Sequence, residues 1–158
     1  MITKRILFIG LISGIFFLTG CISAKDTAFA YLIPAGDMNG SIKLQMWNPD
    51  EASSLKNGDK VSLALSNASY YDVSMPEDFG MYVLRFDEAA GEWKDVGYEL
   101  LNHGGMIERG SEAINVQIRP QVESSNEPVE IRVVVLGDMA STVQSKQVGA
   151  YIDLTLQP

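Results

Sequence analysis

The sequence predicts an all-β domain in which two antiparallel sheets pack face to face. Apolar and polar residues alternate with a period close to two over most of the chain, turn residues separate the alternating segments, and no long window keeps a helical repeat. About eight such segments, each with one apolar face, favour a sandwich. The same alternation also fits an open barrel, so the sequence leaves that alternative open.

The first strands are predicted from alternation bounded by turns. In residues 60–66, for example, Val61, Leu63 and Leu65 lie on one face, and the preceding Asn-Gly-Asp sequence at residues 57–59 is typical of a turn. Residues 28–33 form an apolar run that stops before Pro34, and we expect a strand there too. The strands expected in this part of the chain are residues 28–33, 41–47, 60–66, 70–75 and 81–87.

A hairpin is predicted around residues 88–91, which have the length and composition of a short loop. This connection places Phe86 opposite Trp93, and we expect the aromatic pair to hold the two strands together. Residues 98–112 are less regular. The later strands are expected at residues 113–119, 129–136 and 148–156.

The N-terminus has the order of a secretory signal. Lys4 and Arg5 precede the apolar residues 6–18, and small residues follow. A permanent transmembrane helix is the alternative, but the continuously apolar part is shorter than the ~20 residues that a span needs. We therefore expect residues 1–20 to be a signal helix that is removed.

The end of this segment, Leu18-Thr19-Gly20-Cys21, resembles the lipobox of bacterial lipoproteins. The resemblance implies cleavage between Gly20 and Cys21, with a diacylglycerol on the sulfur of Cys21. It also implies an extracytoplasmic protein anchored to the cell membrane or the outer membrane. In this family an Asp after the lipidated Cys usually signals inner-membrane retention, so Ile22 favours the outer membrane where the host has one.

The expected organisation has three parts: a signal peptide (1–20), the lipidated Cys with a short tether (21–27), and one β-sandwich domain (28–158). Cys21 is the only cysteine, which excludes a disulfide or a cysteine-based zinc site within the chain. The formal net charge of −8 argues against a nucleic-acid partner.

Three segments in their order resemble bacterial immunoglobulin-like domains: residues 58–67, residues 82–87 with 91–93, and residues 130–135. The resemblance covers roughly residues 58–136 and implies an immunoglobulin-like sandwich of about seven to nine strands. Two features of the family differ, because Asn126-Glu127-Pro128 stands where many members have a Pro-Gly turn, and no disulfide is available. The resemblance supplies no catalytic residues.

Candidate chemistry is sparse. His103 is the only histidine and lies in a loop, so we expect a solvated side chain rather than part of a metal site or relay. The adjacent pairs Glu77-Asp78 and Asp87-Glu88 have the chemistry of an acid and base, but neighbours along a strand point to opposite sides. Residues 37–41 start like a calcium loop but lack its later ligands. We expect no metal, cofactor or catalytic residue.

The sequence therefore favours a lipid-anchored, non-enzymatic binding or structural module of the cell envelope. The membrane would be held through the lipid on Cys21, and a protein or another envelope component would be the partner. Two alternatives remain: an envelope hydrolase that uses paired carboxylates, and an assembly factor or inhibitor for another exported protein.

Overall fold

The computed structural model describes residues 23–33, 37–140 and 145–158. It is mostly β, with 49% strand and 9% helix, and its two antiparallel sheets pack together. The predicted all-β sandwich is confirmed. The strands are β1 (Ile42–Met46), β2 (Val61–Asn67), β3 (Val73–Ser74), β4 (Tyr82–Asp87), β5 (Glu92–Asp95), β6 (Tyr98–Leu100), β7 (Met106–Ile107), β8 (Ile114–Pro120), β9 (Val129–Ala140) and β10 (Ser145–Leu156).

The smaller sheet has the order β1-β2-β8-β6. Its central strand β2 alternates as the sequence predicts, because Val61, Leu63 and Leu65 are fully buried while the residues between them are half-buried. A short 3₁₀ helix (Pro49–Ser54) follows β1. It connects β1 to the segment that leads into β2.

The larger sheet is built around β9. Strand β10 pairs with β9 along its whole length, from Ser145 opposite Ala140 to Leu156 opposite Val129. The other edge of β9 is shared, because β4 pairs with its first half and β3 with its second half. Strands β5 and β7 extend the sheet beyond β4 and β3. Strands β3 and β7 have only two residues each, and the other eight agree with the expected seven to nine.

The main core lies between the sheets and is formed by apolar side chains, with the buried Asn67 at the end of the inward face of β2. In β9 it receives Ile131, Val133 and Val135, and in β10 it receives the alternate residues from Val148 to Leu156. These inward faces are the ones that the alternation predicts. The opposite face of the larger sheet is also apolar in part, because Leu84 and Val134 form a second, smaller core.

The strand predicted at residues 28–33 is wrong. The segment belongs to an α-helix, α1 (Ala24–Leu32), and residues 24–27, expected in the tether, form its first turn. The Ser23 Oγ accepts a hydrogen bond from the Asp26 N–H at 3.1 Å and so caps the helix. Phe29 and Ile33 lie one turn apart and are both buried against the outer face of the larger sheet. This contact with the sheet favours the helix, although the apolar run by itself fits either a helix or a strand.

The predicted hairpin is confirmed in register. Phe86 lies opposite Trp93, and the two rings meet edge to face with centroids 5.3 Å apart. Both rings are only partly buried and face outward, and Trp93 packs beneath α1 in the second core. The pair therefore joins the hairpin to the helix instead of filling the space between the sheets.

The free edge of β10 is covered near both of its ends. Gly149 donates to the Asp37 carbonyl at 2.9 Å and accepts from the Asn39 N–H at 2.8 Å. Further along, Gln157 donates to the Leu55 carbonyl at 2.7 Å. These contacts link an edge of the larger sheet to segments that flank strands of the smaller one.

Candidate functional site

The sites predicted with the most specific pattern, Gly20 and Cys21, lie outside the described residues. Signal cleavage and lipidation therefore remain predictions. Among the described residues, no helix is both long enough and apolar enough to cross a membrane.

His103 lies in an exposed loop, as predicted. Its Nδ1 is 3.8 Å from Glu77 Oε1, and both side chains are exposed. The parts of the chain that the structure describes contain no group of three or more histidine, cysteine, aspartate or glutamate side chains that could hold a metal ion. The geometry at His103 is that of an exposed surface contact with Glu77.

The paired carboxylates serve turns. Asp78 accepts a hydrogen bond from the Gly80 N–H at 2.9 Å, and Asp87 accepts from the N–H groups of Ala89 and Ala90 at 3.0 Å. Asp87 also accepts from Lys94 Nζ at 2.7 Å. The hydrogen bond from Lys94, followed by the one from Ala90, lowers the pKa of Asp87, which suits an ionised turn residue and opposes a role as a proton donor.

The calcium-like segment is also a turn. The Asp37 carboxylate accepts a hydrogen bond from the Ser41 hydroxyl, and the Asn39 side chain accepts one from the Tyr151 N–H at 2.8 Å. These oxygens are engaged within the chain. They fix the segment against β10 and do not converge on a point where a cation would sit.

The most organised polar site of the described chain is centred on Arg132, a residue that no sequence pattern predicted to be part of a site. Its side chain is about 5% exposed, although it projects from the outer face of β9. The guanidinium carbon lies 4.2 Å from the ring centroid of Tyr151, 4.6 Å from that of Phe29 and 4.8 Å from that of Trp93. We call Arg132, these three aromatic side chains and the two carboxylates that bind it, Asp26 and Asp153, the arginine box.

Two carboxylates complete the arginine box. Arg132 donates from Nε to Asp153 Oδ1 at 2.6 Å and from Nη2 to Asp153 Oδ2 at 2.8 Å. Its Nη2 also donates to Asp26 Oδ1 at the longer distance of 3.4 Å. Burial alone lowers the pKa of Arg132, but the hydrogen bond and charge of Asp153 outweigh it, so the net direction is upward. The guanidinium is thus held charged inside an aromatic enclosure.

The arginine box holds α1 to the sheet because Asp26 and Phe29 belong to the helix. Two further contacts act at its first turn. The Trp93 Nε1 donates to the Lys25 carbonyl at 2.8 Å, and Lys25 Nζ donates to Glu130 Oε2 at 2.8 Å. The hydrogen bond to Glu130 is the largest cause of a raised pKa at Lys25. The start of the helix is therefore fixed beside the start of β9.

Two open hollows lie at the end of the sandwich where α1 and β9 begin. One of about 660 Å³ is bounded by residues of α1, the β4–β5 hairpin and the start of β9, including Lys25, Trp93 and Glu130. The other, of about 720 Å³, lies beside it and is lined mainly by charged side chains such as Asp87, Lys94 and Glu123. Neither hollow encloses a buried carboxylate, because the buried polar or charged residues of the described chain are Asn67 and Arg132.

The opposite end of the sandwich presents exposed aromatic and apolar side chains on a well-fixed loop. Tyr70 is 87% exposed and Met106 is 60% exposed. The buried Asn67 holds the loop, because its Nδ2 donates to the carbonyls of Tyr71 at 2.8 Å and Ile107 at 2.9 Å. Its Oδ1 accepts from Ser69. This loop end, residues 67–72 with Met106 and Ile107, is the second distinct surface.

Sequence signals for the arginine box existed but were weak. Ser23 followed three residues later by Asp26 is a capping pattern, and Phe29 with Ile33 has helical spacing. The position of Arg132 opposite Asp153 depends on the register of β9 with β10, which the pattern does not specify.

No family model, curated protein or solved structure matches the chain.

Proposed function

We propose that the protein is a lipid-anchored module of the cell envelope, held by a diacylglycerol on Cys21 and acting by binding or as a structural element. The lipobox-like sequence is the observation that carries the anchor. The proposal places the domain outside the cytoplasm, with an immunoglobulin-like sandwich as its body.

The docking of α1 supports this proposal. Ser23, the capping residue of the helix, is two residues from Cys21 in sequence. The side chains that follow it are engaged at once with the sheet, through Lys25, Asp26 and Phe29. A chain that is fixed so close to its modification site transmits the position of the lipid to the whole domain.

A binding role fits the loop end better than catalysis fits the hollows. Tyrosine and methionine are enriched in the buried centres of protein interfaces, and here Tyr70 and Met106 stand on a backbone fixed by Asn67. A hydrolase of this kind pairs a carboxylate in a buried, apolar environment with one in a polar environment. The carboxylates of the described residues are all at least partly exposed, so none of them fits the buried member of such a pair.

The anchor is tested by growing the producing bacterium with a labelled fatty acid. The wild-type protein is expected to carry the label, and the Cys21→Ser variant is expected to lack it. A matched control, Ser23→Ala, leaves the lipidated residue intact and should keep the label. Label on the Cys21→Ser variant would contradict the proposal.

A further inference from the structure

The structure fixes the place at which the N-terminal segment joins the domain, because it describes the chain from residue 23 onward. The first turn of α1 lies beside Glu130 at the start of β9, through the 2.8 Å contact of Lys25. Cys21 and Ser23 are separated by one residue, so their Cα atoms are at most ~7 Å apart whatever their conformation. A lipid attached to Cys21 would therefore leave the chain close to this corner.

The features at this corner define one end of the sandwich. The turn of the β4–β5 hairpin is there, because Glu88 Oε1 lies 4.0 Å from Lys25 Nζ. Glu127 and Pro128 also line the hollow beside Lys25. We call residues 88–91 with 127–130 the anchor end.

The loop end lies at the other extreme of β9. Strand β3, which follows the loop at Tyr70 and Tyr71, pairs with β9 at Asp138 and Met139. Met139 is nine residues beyond Glu130 on a continuous strand, which corresponds to a separation of about 30 Å. The two ends are thus separated by most of the length of the domain.

Resting on the proposed lipidation of Cys21, we propose that the anchor end is the surface that lies against the bilayer and that the loop end points away from it. The partner of the anchor end is the lipid headgroup layer. The length of chain left between helix and lipid decides this, since a tether of two peptide units cannot bring the loop end down to the headgroups.

We expect the anchor end not to adhere to anionic lipid by itself. The hollow beside it is lined by four carboxylates and three cations, and two of the cations, Lys25 and Arg132, are already paired with Glu130 and Asp153. Apposition of this end to the bilayer is therefore imposed by the covalent anchor. Charge attraction to anionic headgroups has no part in it.

The test measures energy transfer from a fluorophore on the domain to headgroup-labelled lipid in phosphatidylcholine vesicles. The lipidated full-length product is labelled at Ala90→Cys on the anchor end or at Tyr70→Cys on the loop end, both exposed positions. We expect transfer at residue 90 to exceed transfer at residue 70 by about threefold or more, given the ~30 Å between the ends. Equal transfer, or the reverse order, would overturn the proposed orientation.

A variant with a flexible Gly-Ser insertion of about 20 residues between Ile22 and Ser23 is the matched control, because such a linker spans about 25 Å on average. It should bring the ratio of the two transfer efficiencies close to one. A ratio that stays high with the long linker would mean that the anchor end adheres to lipid directly, against the proposal.

Failure of the anchor itself is recognised separately. The mass of the purified protein reports whether Cys21 carries acyl chains, and flotation reports whether the protein is on the vesicles. A chain without acyl groups overturns the proposed function, whereas an acylated chain on vesicles with equal transfer at both positions overturns only the orientation. Residues 22–158 without lipid should not float with vesicles that contain phosphatidylglycerol, and flotation would also contradict the proposal.

Discussion

Arg132 and Asp153 lie directly opposite each other on β9 and β10, and the guanidinium donates two hydrogen bonds to the carboxylate, at 2.6 and 2.8 Å. The arginine side chain is about 5% exposed and the aspartate 57% exposed. The buried charge of Arg132 is thus paired with a carboxylate that remains in contact with solvent. The aromatic rings on the other sides of Arg132 then come from three separate elements.

Loss of this partner should destabilise the domain. Asp153→Ala removes both hydrogen bonds, leaving Arg132 with the longer contact to Asp26, and we expect a loss of about 1–2 kcal/mol, since the pair is partly screened by solvent. Asp138→Ala, at an exposed position on the same face of β9, is the control and should change stability by less than about 0.5 kcal/mol. Urea unfolding measures both, and equal losses would contradict the importance of the pair.

The docking of α1 should depend on one face of the helix. Phe29 is 5% exposed within the second core, whereas Leu32 is 49% exposed on the same helix. Truncation of Phe29 to alanine should cost about 3 kcal/mol or more, and Leu32→Ala about 0.5 kcal/mol. The fluorescence of Trp93, which packs edge to face on Phe29 at 6.1 Å, should change only in the first variant. A small effect at Phe29 would show that the helix contributes little to stability.

The loop end should depend on Asn67. Asn67→Ala removes two donated and two accepted hydrogen bonds and leaves the carbonyls of Tyr71 and Ile107 without this donor. We expect a loss of about 2–4 kcal/mol, because buried polar groups lose their partners. Asn126→Ala, at an exposed position, should be nearly neutral. Thermal unfolding compares the two, and similar midpoints would contradict the prediction.

The ion pair of the β4–β5 hairpin gives a pH dependence with a definite sign. The hydrogen bond from Lys94, and then the one from Ala90, lowers the pKa of Asp87 below its ordinary 3.8. Its contribution to stability is therefore present above pH 3.8 and is lost as the pH falls through the lower pKa of the folded state. Titration of the Asp87 carboxyl followed by NMR should show its pKa rising toward 3.8 in Lys94→Gln. Lys43→Gln, at an exposed position on β1, should leave that pKa unchanged.

Most strands of the two sheets could be predicted because one face of each is buried in a single core. In β2, for example, Val61, Leu63 and Leu65 repeat every second residue, as burial on one side requires. The rule fails where both faces of a strand are covered. Val134 departs from the alternation of β9, whereas Leu84 keeps that of β4 on the face away from the main core, and both pack beneath α1.

The helix and the arginine box could not be predicted with the same ease. The run Phe29, Tyr31 and Ile33 has the spacing of a strand, while Phe29 and Ile33 alone have that of a helix, and local pattern does not separate the two. The arginine box needs residues 26, 93, 132 and 153 to come together, and these are distant in sequence. Only the register of the sheet and the docking of the helix bring them into contact.

The hydrogen bonds that cover the edge of β10 also constrain the order of folding. Hairpin β9–β10 is local in sequence and is able to form early, but Gln157 meets Leu55 and Lys56, roughly 100 residues earlier in the chain. These hydrogen bonds cannot form until residue 157 has been synthesised. Until then the edge of the longest hairpin is open, and the emerging chain is most vulnerable to pairing with another strand in that interval.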